Sequence, residues 1–88
     1  MPFIKGDLIS GQFDSGENVF SLQKVKNFPI QTELTEKLTD HLYRYLKVNE
    51  QDEEGLILTL YDQMPIMITR NEIQQLLKDL ERVKTLFH

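Results

Sequence analysis

The chain contains no cysteine and no tryptophan. Without cysteine it has no disulfide bond, no thiolate metal ligand and no cysteine nucleophile. Small secreted domains usually depend on disulfides, so this absence favours a reducing compartment, and we expect a cytoplasmic protein. Glycine and proline are also scarce, with four and three residues among 88. No Gly-rich loop that could cradle a phosphate group is present in the sequence.

Long apolar runs and an excess of basic residues are missing as well. Purely apolar runs reach at most three residues, which is far too short to span a membrane. The start of the chain, MPFIKGD, has no apolar core of signal-peptide length. The net charge is −4, whereas nucleic-acid-binding domains usually carry a basic excess. We therefore expect no membrane contact, and nucleic acid is a disfavoured partner.

The clearest element that the sequence does contain is a helix over residues 70–87. Thr69 and Glu72 have the spacing of a capping box at its start. Asp79 and Arg82 are expected to form an ion pair on its solvent side. The apolar stripe of this helix consists of Ile73, Leu76, Leu77, Leu80, Val83 and Phe87.

A second helix is predicted over residues 32–47, with Thr32 as its N-cap. Its apolar stripe consists of Leu34, Leu38, Leu42, Tyr45 and Leu46. An acidic linker follows at residues 49–54, but its carboxylates lack the spacing of a Ca²⁺-binding loop. No second histidine or cysteine is spaced to share a metal with His41. We predict no metal site, no cofactor and no small-molecule site.

The remaining segments predict two β-hairpins, at residues 3–28 and 55–69. In the first hairpin, the polar stretch DSGE joins two strands. In the second, the segment GLILTLYD is apolar on both faces, which is typical of a central strand. The returning segment MPIMIT contains Pro65, which cannot donate a backbone hydrogen bond and therefore favours an edge position.

These elements predict a single domain over residues 1–88, in the order β-β-α-β-β-α. Each helix has one apolar stripe to bury, and antiparallel hairpins offer a sheet face to bury it against. We therefore expect an α+β fold with two layers, in which both helices pack on one face of a mainly antiparallel sheet.

A short motif in the first hairpin offers a catalytic alternative. The stretch Phe13-Asp14-Ser15-Gly16 resembles the D-[S/T]-G loop of the retropepsins, and IMITRNEI resembles the segment that packs beneath that loop. The resemblance implies an aspartic protease that works as a dimer, in which Asp14 of each chain shares one proton. A helix in mid-chain and the lack of glycine between Gly16 and Gly55 oppose it. We interpret the motif as a hairpin turn with Gly16 at positive φ.

Lys24 and Lys26 offer a second alternative, a binding site for single-stranded nucleic acid. If the strand alternates regularly, both lysines share a face with Phe20, Leu22 and Phe28, and basic and aromatic residues together can bind single strands. Lysine on an exposed strand is also a common protection against aggregation. The acidic net charge favours the protective role.

The second hairpin carries the residues predicted to bind a partner: Tyr61, Met64, Ile66 and Met67. An exposed edge strand with methionine and tyrosine can receive a partner strand or form a dimer. We therefore expect a small, non-enzymatic intracellular interaction module, a regulator or adaptor. Its partner is expected to be another protein or a second copy of the chain, bound through the strand at residues 65–69 or through a helix face.

Overall fold

A computed structural model describes residues 3–59 and 65–88 of the chain. In chain order its elements are β1 (Phe3–Lys5), β2 (Ile9–Asp14), β3 (Val19–Val25), β4 (Phe28–Thr35), α1 (Glu36–Val48), β5 (Leu56–Leu58), β6 (Ile66–Ile68) and α2 (Arg70–Lys84). The first four strands form an antiparallel sheet in sequential order, and β5 pairs with β6 in a second sheet. The predicted α+β class is therefore confirmed.

The first sheet is a meander of four strands, where the sequence predicted only a hairpin over residues 3–28. A turn at residues 6–8 divides the predicted first strand into β1 and β2. The β2–β3 hairpin is present, with Asp14 opposite Val19 beside its turn. A further strand, β4, continues the sheet beyond the predicted hairpin.

The first helix begins later than predicted, because its predicted first turn belongs to β4. Thr35, not Thr32, is the N-cap of α1, and its hydroxyl accepts a hydrogen bond from the Leu38 amide at 3.2 Å. In β4, Ile30, Thr32 and Leu34 are buried and the residues between them are exposed, which is the period of a half-buried strand. Leu34 fits the apolar face of either element, and pairing with β3 decides between them.

The second helix, α2, begins as predicted and packs on the buried face of the four-stranded sheet. The Thr69 hydroxyl accepts from the Glu72 amide at 3.2 Å, and the Glu72 carboxylate accepts from the Thr69 amide at 2.9 Å. The helix ends at Lys84, three residues before the predicted end. Phe87 nevertheless packs edge-on against Phe13 of β2, with the ring centroids 5.2 Å apart.

The β5–β6 hairpin adds a second apolar layer to the same core. Its inward side chains are Leu56, Leu58, Ile66 and Ile68. The expectation that the first strand is central and buried on both faces is wrong, because Ile57 is exposed. The sequence predicts a turn at Asp62 and Gln63 between the two strands, and both residues lie outside the described residues.

A buried carboxylate ties α2 to the turn between β1 and β2. Asp79 is 2% exposed, and its oxygens accept hydrogen bonds from the amides of Asp7, Leu8 and Ile9 at 3.0, 2.7 and 3.1 Å. The predicted ion pair with Arg82 on the solvent side is therefore wrong. Burial of a charge is costly unless hydrogen bonds replace its water, and three charge-assisted bonds do so here.

Gly6 gives the Asp79 carboxylate access to this turn. A Cβ atom at Gly6 would overlap the carboxyl group of Asp79. The Gly6 amide donates to the carbonyl of Ile9 at 2.8 Å, which closes the turn. The amides of Asp7, Leu8 and Ile9 therefore point towards the helix.

A polar cluster joins the two helices on their solvent side. The hydroxyl of Tyr43 in α1 donates to the carboxylate of Glu81 in α2 at 2.8 Å. The Lys84 ammonium lies 4.2 Å from the centre of the Tyr43 ring, a favourable cation–π distance. The hydrogen bond to Glu81 raises the pKa of Tyr43, because it stabilises the neutral phenol.

We expect Asp79→Ala to lower the free energy of unfolding by about 3 kcal/mol, because it leaves three amides without an acceptor, two of them buried. Asp79→Asn keeps the volume and one acceptor oxygen, so it should lose less and remain folded. Urea unfolding followed by circular dichroism measures both. The control is Gln75→Ala at an exposed position of the same helix, which should change stability by less than about 0.5 kcal/mol. A loss for Asp79→Ala no larger than for the control contradicts the prediction.

Candidate functional site

The Asp14 motif forms the turn between β2 and β3, as the sequence predicted. The Asp14 carboxylate accepts hydrogen bonds from the amides of Gly16 and Glu17 at 2.9 and 3.2 Å. The expectation that Gly16 has a positive φ is wrong, because the residue at positive φ in this turn is Asn18, at 59°. The carboxylate thus acts as a local cap of the turn.

This geometry predicts that Asp14→Ala destabilises the protein by about 1 kcal/mol, through the loss of charge-assisted bonds to two amides. Gly16→Ala should leave the stability within about 0.5 kcal/mol of the wild type, since no positive φ demands glycine there. Thermal and urea unfolding of the two variants provide the comparison. The opposite order, with Gly16→Ala the more harmful, argues against the role given to Asp14.

The structure separates the two lysines that the sequence placed in one stripe. An irregularity of β3 lies between Leu22 and Lys24. Leu22 is therefore buried in the core, whereas Lys24 is exposed on the other face of the sheet. Lys26 lies in the β3–β4 turn with φ of 57°. The predicted basic and aromatic stripe, which also included Phe20 and Phe28, does not form.

Lys26 instead joins three parts of the molecule, and we call this contact the Lys26 junction: Lys26, Met67, Thr69 and Glu72. The ammonium of Lys26 lies 3.0 Å from the Glu72 carboxylate and donates to the Met67 carbonyl at 2.9 Å. The same carboxylate oxygen accepts the amide of Thr69. The turn of the large sheet, the start of α2 and strand β6 are thereby held together.

The Lys26 junction sets the charge state of Glu72. Partial burial raises the pKa of Glu72, but the hydrogen bond from the Thr69 amide and the contact with the Lys26 ammonium together outweigh it. The pKa of Glu72 in the folded protein therefore lies below its ordinary value. The ionised form is the one that holds the junction.

A group whose pKa is lowered by folding contributes stability above its unfolded-state pKa. That contribution is lost as the pH falls through the lowered folded-state value. The stability difference between wild type and Glu72→Gln should therefore be largest near about pH 7 and shrink towards about pH 3. Urea unfolding at several pH values gives this difference. Glu33→Gln, an exposed carboxylate on β4, serves as the control, and a pH dependence equal to that of Glu72→Gln would contradict the assignment.

One exposed apolar pair lies on the outer face of the β5–β6 hairpin. Ile57 and Met67 are directly opposite each other in the strand register, and they are 56% and 54% exposed. Directly opposed side chains in antiparallel strands are close enough to touch. We call this pair the hairpin surface: Ile57 and Met67.

The four residues predicted to bind a partner do not share one surface. Met67 belongs to the hairpin surface. Ile66 is 6% exposed, so its side chain lies in the core and not on a contact surface. Tyr61 and Met64 lie outside the described residues. Ile57, part of the segment GLILTLYD that was expected to be buried on both faces, takes the position opposite Met67.

The other large exposed apolar side chains do not face one another across a strand pair. They are Phe3, Phe28, Tyr45 and Val48. Phe3 lies opposite the polar Gln12, and Phe28 lies opposite the buried Val25. Among the described residues, therefore, the hairpin surface is where two exposed apolar side chains face each other across a strand pair.

The backbone of β6 is less free to accept a partner strand than the sequence suggested. The carbonyl of Met67 already accepts the Lys26 ammonium at 2.9 Å. A partner strand that needed this oxygen would have to displace Lys26 and loosen the junction. Pro65, just before β6, has no amide to donate. The side chains of the hairpin surface are therefore a better contact than the strand edge.

No protein-family model, curated protein or solved structure matches this chain. Within residues 3–59 and 65–88, no cluster of three acidic, histidine or cysteine side chains is arranged to hold a metal ion. The same part of the chain has no helix long and apolar enough to cross a membrane. The function of the protein must therefore be inferred from the surfaces of the fold itself.

Proposed function

We propose that the protein is a non-catalytic cytoplasmic module for protein–protein interaction, a regulator or adaptor. It binds a second copy of itself, or another protein, through the hairpin surface. The observation that carries this proposal is the pairing of Ile57 with Met67, each more than half exposed and directly opposite the other. Exposed apolar side chains that lie together are a starting point for an interface, because a contact removes their surface from water.

The size of the hairpin surface indicates how such an interface would be built. Complete burial of one side chain of this kind contributes about 1.5–3 kcal/mol relative to full exposure, so two half-exposed side chains contribute less than that each. In a symmetric dimer the same patch is used by both partners, so the contribution is doubled. Stable interfaces bury about 800 Å² on each side, and polar neighbours of the hairpin must supply the rest.

The described carboxylates support a non-catalytic role because several have structural partners. Asp14 caps the β2–β3 turn, Asp79 holds the β1–β2 turn, and Glu72 holds the Lys26 junction. In the retropepsin alternative, Asp14 would meet its copy in a dimer. Its hydrogen bonds to two turn amides stabilise it as a turn cap instead.

Self-association gives the first test. We expect the wild-type protein to dimerise at high micromolar concentration in sedimentation-velocity experiments. Met67→Lys should make it monomeric without unfolding the domain, because a charge would have to be desolvated in the interface while the free side chain remains in water. The matched control is Val48→Lys, which adds the same charge at an apolar position that is 85% exposed on α1, and this variant should still dimerise.

A wild-type protein that is monomeric at this concentration contradicts self-association. The remaining form of the proposal, binding to another protein, is then tested by affinity capture from lysate of the source organism. A partner captured by the wild type and by Val48→Lys, but not by Met67→Lys, supports the hairpin surface. A partner captured equally by all three proteins contradicts it, and so does the absence of any partner.

A further inference from the structure

The face of the four-stranded sheet opposite the helices carries a cationic row across three strands. Lys5 of β1 lies opposite Ser10 of β2, and Ser10 lies opposite Lys24 of β3. Both lysines are exposed, and Ser10 is partly exposed between them. Two strand spacings separate the lysine backbones by roughly 10 Å, so their flexible side chains can converge on anionic groups above Ser10.

The two lysines of this row have no close carboxylate among the described residues. Every ion pair in that part of the chain involves other basic side chains: Lys26, Arg44, Lys47 and Lys84. Asp7 lies in the turn beside the row, and its side chain makes no ion pair with either lysine within 4.0 Å. Lys5 and Lys24 therefore remain available to an external anion.

The rest of this face offers an aromatic ring and uncharged hydrogen-bonding groups. Phe3, 54% exposed, follows the same side of β1 as Lys5 and lies opposite Gln12. Gln23 of β3 and Gln31 of β4 are also exposed. A phenylalanine ring can stack on a planar base, and each glutamine amide carries both donors and an acceptor for base edges.

We propose that this face binds single-stranded nucleic acid. Lys5 and Lys24 contact the phosphates, Phe3 stacks on a base, and the glutamine amides bond the base edges. An open sheet face presents an aromatic ring to splayed bases, but it has no element that enters the groove of a duplex. The mixture of an aromatic ring and neutral amides beside only two cations matches bases better than it matches an acidic peptide. The site uses no residue of the hairpin surface.

The net charge of −4 does not prevent such a contact, because the acidic residues are unevenly placed. Four of them lie in the linker at residues 49–54. On the open face, Glu33 of β4 lies at the far end of the cross-strand row that begins at Phe3, and β2 and β3 separate the two residues. Charges farther away than about 10 Å are largely screened at roughly 0.1 M salt, and each direct lysine–phosphate contact also weakens as the salt concentration rises. The negative net charge therefore makes the binding weak and sensitive to salt, but it does not block the contacts of the two lysines with phosphates.

Fluorescence anisotropy with labelled oligouridylate and oligothymidylate of roughly 12 nucleotides tests the proposal at low salt. Lys5→Ala/Lys24→Ala should weaken binding by about tenfold or more, and the slope of log K against log salt should fall by roughly 1.4, or 0.7 for each lost phosphate contact. Phe3→Ala should weaken binding by roughly tenfold with little change in slope. The matched control, Lys37→Ala/Lys78→Ala, removes two exposed helix lysines and should change affinity less than about twofold.

The outcomes separate this proposal from general polyanion binding. Tighter binding of either oligonucleotide than of oligoglutamate of equal charge supports it, and the preferred oligonucleotide identifies RNA or DNA as the ligand. No binding of either oligonucleotide at low salt overturns it. Equal losses in the test and control lysine variants overturn it, as does equal binding of oligoglutamate. Circular dichroism verifies that every variant is folded.

Discussion

The position of α2 on the sheet is fixed by one polar contact, the carboxylate of Asp79 bonded to three backbone amides at the β1–β2 turn. This contact connects a helix near the end of the chain to its first turn, about 70 residues away in sequence. Apolar packing alone tolerates some sliding of a helix on a sheet, because it is not directional. Three hydrogen bonds to a fixed turn allow one position, and Gly6 gives the carboxylate the space to make them.

The same contact determines which surfaces remain available for function. With α2 held on one face, the core side chains of β2, β3 and β4 are covered, and the row from Lys5 to Lys24 is left in solvent. The Lys26 junction then fixes β6 beside the start of α2. Because the inward side chains of that hairpin are buried, Ile57 and Met67 must face outward. The two proposed binding surfaces thus result from the way the core is closed.

Features set by neighbouring residues could be predicted from the sequence. The capping box of Thr69 and Glu72, the apolar stripe of α2 and the turn at Asp14 all depend on spacings of a few residues. The start of α1 could not be predicted in this way, because Thr32 and Thr35 are both suitable caps and Leu34 fits either a strand or a helix. Pairing with β3 determines that these residues form a strand, and local sequence does not show that pairing.

The burial of Asp79 could have been predicted from its helical position, although a charged side chain is usually expected in solvent. Asp79 lies three residues after Leu76 and four before Val83, so helical spacing places it on the apolar stripe. The candidate surfaces could not be predicted from local spacing, because they depend on the register of the strands. Lys5 and Lys24 became neighbours of Ser10 only through the strand pairing, and the irregularity of β3 moved Lys24 away from Leu22.

Native-state hydrogen exchange of the Leu8 and Ile9 amides, followed by NMR, is the most direct test of this role of Asp79. If the contact fixes α2 on the sheet, both amides exchange only through global unfolding, with the free energy that urea unfolding gives. In Asp79→Asn they should exchange through a local opening of lower free energy. The account is contradicted if, in the wild-type protein, these amides exchange as readily as that of Gly16 in the exposed β2–β3 turn.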